Sequence, residues 1–144
     1  MIEDDTIKLL RQCDAGIKMG TSSIQEVLDR VKDPRFQRCL QNCGAKHREL
    51  AHQIQEMLDQ YHDDGTRLNP VVQGMARMKT ECKLAMHPSD STIAQLMIDG
   101  CNMGTTSLSR YLNQYKAADE ASKDMAKRLI SLEDQLTLEL RPFL

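Results

Sequence analysis

Cys39, Cys43 and His47 stand at i, i+4 and i+8 along one stretch of the chain. Four residues are close to one turn of an α-helix, so the three stack on one side of a helix, with Cys43 and His47 directed inward. Reading the first hairpin as antiparallel about Lys32–Asp33 brings His47 level with Gly20. Cys101 points inward near the same height on a later helix. Thiolate and imidazole suit zinc and Cu(I), and nine methionines add thioether sulfur. Cys43, His47 and Cys101 are therefore the candidate ligands of a Zn or Cu(I) site.

A structural role for the same three residues is the stronger expectation, and on it no cofactor is needed. Their spacing matches no closed zinc motif. Buried free cysteines behave as small hydrophobes and methionine is an ordinary gap filler. A core histidine can be satisfied by the hydroxyl of Thr21 or Thr105, and the space beside Gly20 would take its ring.

Other chemistry is weaker. Di-iron proteins place a Glu on each of two helices and a Glu-x-x-His on each of the other two. The chain has one Glu-x-x-His, Glu49 to His52, and its phase turns His52 outward while Gly20, Thr21, Gly104 and Thr105 stand where carboxylates would be needed. The final helix is expected to present Met125, Leu129 and Leu132 inward. There is no phosphate-cradling glycine loop, nucleophile elbow or Cys-x-x-Cys. His62 and His87 fall at helix ends, and Asp4-Asp5 and Asp63-Asp64 read as helix-end charges. The balance leans away from an enzyme.

The elements that would position these residues follow from apolar spacing and punctuation. Leu10, Cys13, Ile17, Gly20, Ile24, Val27 and Val31 alternate steps of three and four, the seam of a helix over about 5–32. Asp33-Pro34 is a cap-and-start pair for a second helix to about 62, with Leu40, Cys43, His47, Leu50, Ile54, Met57 and Tyr61 on its seam. Gly65 can take the left-handed conformation that ends helices. Asn69-Pro70 opens a helix over 70–87, Pro88 stops it, and Asp90 or Ser91 can cap the next. The last helix, about 119–140, aligns Ala121, Met125, Leu129, Leu132, Leu136 and Leu140. The chain thus reads as one domain over 1–144: hairpin 5–62, crossover helix 70–87 and hairpin 91–141.

Residues 16–32 and 100–116 read as one sequence written twice. Gly16-Ile17-Lys18-Met19-Gly20-Thr21-Ser22-Ser23-Ile24 returns as Gly100-Cys101-Asn102-Met103-Gly104-Thr105-Thr106-Ser107-Leu108. Two pseudo-repeated hairpins joined by a long connection predict an all-α, ferritin-like four-helix bundle with an extra crossover helix, because up-down-up-down would need only a short loop. Glycine inside a helix costs about 1 kcal/mol relative to alanine. Gly20 and Gly104, on the seam, are expected where the repeated helices approach most closely.

The duplicated hairpin, the Met-Gly-Thr-x-Ser helix centre and the closing segment Leu129–Glu133 through Arg141-Pro142-Phe143-Leu144 resemble small ferritin-like proteins of Firmicutes whose function is unassigned. The likeness runs over nearly the whole chain and implies a fold, not a chemistry.

At 144 residues and a net charge of −2 with both signs interspersed, nothing favours nucleic acid or an anionic membrane as partner. No apolar run approaches the ~20 residues that span a bilayer. The acidic start lacks the regions of a signal peptide, and five cysteines without a paired framework suit reduced thiols in the cytoplasm. The expected role is non-catalytic: self-association as a homo-oligomer, or association with a protein partner. Met75, Met78, Cys82 and Met86 on the crossover helix form the candidate surface, since methionine-rich faces adapt to partners. Ordinary amphipathicity instead favours their packing against the chain's own helices.

Overall fold

The computed structural model describes residues 2–144. Among the described residues there are five α-helices and no strand: α1 (Ile2–Leu28), α2 (Pro34–Asp59), α3 (Pro70–Met86), α4 (Asp90–Gln114) and α5 (Glu120–Leu140), with a 3-10 turn over Arg141–Phe143. Asp33 and Asn69 cap as their sequences require, each side chain accepting from the backbone N–H two residues on, with proline as the first helical residue. Asp119 caps α5, its side chain accepting from Ser122 N three residues on.

α1 ends at Leu28 rather than near residue 32, and two further boundaries differ from expectation for local reasons. α2 stops at Asp59 because His62, not Gly65, takes the left-handed conformation that ends it (φ 55°). His62 N donates to Asp59 O and Asp63 N to Leu58 O, a double closure of the last turn. Gly65 is left-handed too (φ +85°), but its service is to admit α1: a Cβ there would stand 2.7 Å from Asp14 Oδ2. At α4 the cap is Ser89, whose hydroxyl accepts from Thr92 N. Asp90 instead accepts from Lys32 N and Asp33 N, both at 2.9 Å, and so ties the start of α4 to the α1–α2 turn.

These contacts fix the path of the chain. α2 returns antiparallel along α1, His47 coming level with Gly20. The chain then climbs again beside α1: Thr66 N bonds Asp14 Oδ2, Gln73 Nε2 bonds Ser22 Oγ, and Arg30 pairs with Glu81. The sequence separations of 52, 51 and 51 residues show α3 parallel to α1 and in step with it. α4 starts at the α1–α2 turn and descends. α5 then rises parallel to α1, with Asp119 N on Thr6 Oγ1, Leu129 facing Gly16 and Glu133 facing Gly20.

α1, α2, α4 and α5 bury the apolar seams. One cluster gathers Ile24, Phe36, Leu40, Ile93, Met97, Leu136 and Leu140. Another gathers Leu9, Leu10, Ile17, Ile54, Leu58, Leu108 and Leu129. Between the two levels lie His47 and Glu133, both buried.

Two expectations are corrected. Gly104 is not a point of close approach, since a Cβ on it, or on Gly100, would meet nothing within 4 Å. Nor does Gly20 mark an approach of the repeated helices: its near neighbours are His47 of α2 and Glu133 of α5, with no α4 atom among them. α3, moreover, does not fold its methionine stripe inward. Leu84 is its one buried residue, while Met75, Met78, Cys82 and Met86 are all exposed.

Candidate functional site

His47 sits on α2 one turn after Cys43, and is 1 % exposed. Its Nδ1 lies 2.8 Å from the Cys43 carbonyl oxygen and its Nε2 lies 2.8 Å from Glu133 Oε1 on α5. A carbonyl only accepts, so Nδ1 carries a proton. A carboxylate also accepts, so Nε2 carries another, and the two side chains form an imidazolium–carboxylate pair. Burial by itself would push the imidazole down, but side-chain bonds to the Cys43 sulfur and to Glu133, together with their charges, outweigh it and hold His47 up at about 10.

α1 makes the room. A Cβ on Gly20 would stand 2.8 Å from His47 Nε2, 2.9 Å from Cδ2 and 4.0 Å from Glu133 Oε1. The first two distances are below any ordinary contact between carbon and ring, so only glycine lets α1 and α2 close over this imidazole. The satisfying partners are the Cys43 carbonyl and Glu133, not Thr21 or Thr105.

The structure brings all three sequence-selected residues to this level, in a particular arrangement. Cys43 Sγ lies 3.2 Å from Nδ1, on one edge of the ring. Glu133 stands at the other edge, and its charge is among the influences that raise the Cys101 thiol. Among the described residues no group of three or more His, Cys, Asp or Glu side chains is placed to hold a metal ion.

The thiols are correspondingly quiet. Burial, then the Glu133 charge, pushes Cys101 far up. Burial and Asp14 push Cys13 to about 12, and burial and Glu139 push Cys39 to about 11. Such thiols are poor sources of the thiolate that nucleophilic or redox chemistry requires.

Glu133 is the residue that sequence reasoning missed. It lies four residues after Leu129 and three before Leu136, a legitimate seam position, but adjacent Leu132 fits the same period and is more apolar. The structure leaves Leu132 only partly buried and turns Glu133 inward. His52, by contrast, faces outward as expected, and Glu49 is exposed as well.

The second feature is α3. Its body-facing side is polar, with Gln73 on Ser22, Arg77 beside Glu26, and Glu81 on Arg30. Beneath it Glu26 Oε1 is buried without a hydrogen-bond partner. Its outward side is apolar: Val71, Val72, Met75, Met78 and Met86 are each 55–74 % exposed. This inverts the arrangement of a helix seated on its own core.

The chain matches no protein family, no curated protein and no solved structure. No helix among the described residues is long and apolar enough to cross a membrane.

Proposed function

We propose that this chain is a non-catalytic association module: a ferritin-like four-helix bundle of two pseudo-repeated hairpins, α1–α2 and α4–α5, in which the crossover α3 is the binding element. The inverted amphipathicity of α3 carries this reading. Polar residues are spent on the chain's own body while five large apolar side chains face outward, and exposed apolar patches rimmed by polar residues mark interaction sites. Methionine, flexible and polarizable, lets such a face adapt to its partner. The buried level of His47 and Glu133 supports the same reading from the other direction. Its imidazole is held at both nitrogens, and it serves to set α1, α2 and α5 at one height. Soft-metal storage would require His47 to give up its Nε2 proton and Cys43 to leave the far edge of the ring.

Gel filtration of extracts from the source cells tests the proposal. The unmutated chain should run well above its 16.4 kDa mass, and a Met75→Glu/Met78→Glu variant of equal helicity should run as the monomer. A monomeric unmutated chain, or an assembly that the two charges leave intact, would contradict it.

A further inference from the structure

The outward positions of α3 step by four and three in strict alternation: Val71, Met75, Met78, Cys82, Ala85. All five are exposed. That is the a/d spacing of a two-stranded coiled coil, widened on one side by the exposed Val72 and Met86. We propose that a second copy of this chain covers it, α3 packing antiparallel on α3 about a two-fold axis. The inference rests on α3 being the association surface and names its occupant.

Area, dipole and charge point to this partner. The exposed valines and methionines, 55–74 % exposed, make a patch on the order of several hundred Å², at the upper end of what monomers show and approaching the ~800 Å² that each side of a standard interface contributes. The antiparallel sense sets the helix dipoles head to tail, whereas parallel pairing would lay like ends together. Seating Met75 of one copy against Met78 of the other places Val71 against Cys82 and puts the axis between Ala76 and Arg77. In that register Lys79 flanks Val72 of the other copy and Glu81 flanks Gly74, so no like charges meet. Sliding one heptad, with Met78 on Cys82, would bring Lys79 onto Lys79 and Glu81 onto Glu81. The seam therefore selects one register as well as one partner. The contact is isologous, so it closes at two copies.

Sedimentation equilibrium of the purified chain, with thiol cross-linking, tests this. The unmutated chain should reach a concentration-dependent dimer mass. Met75→Glu/Met78→Glu sets carboxylates opposite carboxylates and should raise the dissociation constant at least about 100-fold. Val71→Cys, mildly oxidised, should give a covalent dimer whose peptide map joins position 71 to position 82. A monomer at every concentration would overturn the second-copy inference while the extract experiment still decides the association reading. A dimer that tolerates the two glutamates would overturn both. Links of 71 to 71 or 82 to 82 would overturn the antiparallel register.

Discussion

Gly20 of α1 stands where any side chain would meet His47 of α2, its absent Cβ lying 2.8 Å from Nε2. The ring cannot easily retreat, being held at both nitrogens by the Cys43 carbonyl and Glu133. Gly20→Ala therefore sets an overpacking cost of ~1–3 kcal/mol against a helix-propensity gain of ~1 kcal/mol. A net loss of up to about 2 kcal/mol in urea unfolding is expected. Gly104→Ala, at the equivalent place in the repeat, meets nothing and should gain about 0.5–1 kcal/mol. Equal effects at the two glycines would show that the ring does not set the α1–α2 distance.

The buried pair makes opposite predictions for one and two changes. His47→Leu leaves Glu133 without its counter-charge and should cost about 3 kcal/mol or more. His47→Leu with Glu133→Leu replaces both ions by apolar groups, and should recover most of that loss or exceed the original stability. A double variant no better than the single one would mean that the two residues do not act as a pair.

Stability should fall on the alkaline side. His47 titrates near 6.5 when unfolded and at about 10 when folded. The folded state then holds one more proton between those values. The contribution is complete below pH 6.5 and is lost as pH rises through about 10, with a slope near 1.4 kcal/mol per pH unit. The raised thiols of Cys13 and Cys39 add a loss of the same sign at higher pH. The window from about 6.5 to 8.5 therefore isolates the histidine. Thermal melts across it should show the slope in the unmutated chain and little in His47→Leu/Glu133→Leu. A flat profile in both would assign His47 a neutral ring.

Folding should not depend on a metal. The two apolar clusters close above and below the His47–Glu133 level without any ligand cross-link. Circular dichroism in excess chelator should keep the helicity and the cooperative melt. Titration with Zn or Cu(I) should show no tight stoichiometric site. Tight binding lost in both His47→Leu and Cys43→Ala would restore the soft-metal reading.

Much of the architecture was legible because its signals are local. Asp33-Pro34 and Asn69-Pro70 announce their helices through one side-chain bond each, and the three-four spacing of Leu10 to Val31 needs no knowledge of a partner. The shared level of His47 and Gly20, with Cys43 one turn away, followed from helical phase and one antiparallel turn. What failed required knowing the other helices. Glu133 and Leu132 share one period, and only the imidazole across the core decides between them. Gly20 and Gly104 are the same residue in the same repeat, yet the first lies under a ring and the second under none. α3 has an ordinary amphipathic pattern, and no pattern says which face turns to the body. That is settled by Gln73, Glu81 and Leu84, whose partners lie elsewhere in the chain.

The rate at which a small neutral thiol reagent labels Cys82 inside source cells reads the central claim most directly. Cys82 lies in the outward seam and is exposed in the single chain, whereas Cys13, Cys43 and Cys101 are buried. If α3 is a covered interface, labelling of the unmutated chain should be at least about ten-fold slower than that of Met75→Glu/Met78→Glu expressed in the same cells, since closing an interface to K ≈ 10 takes only ~1.4 kcal/mol. Equal, fast labelling of Cys82 in both would mean that nothing covers α3, and the account of this chain as an association module would be wrong.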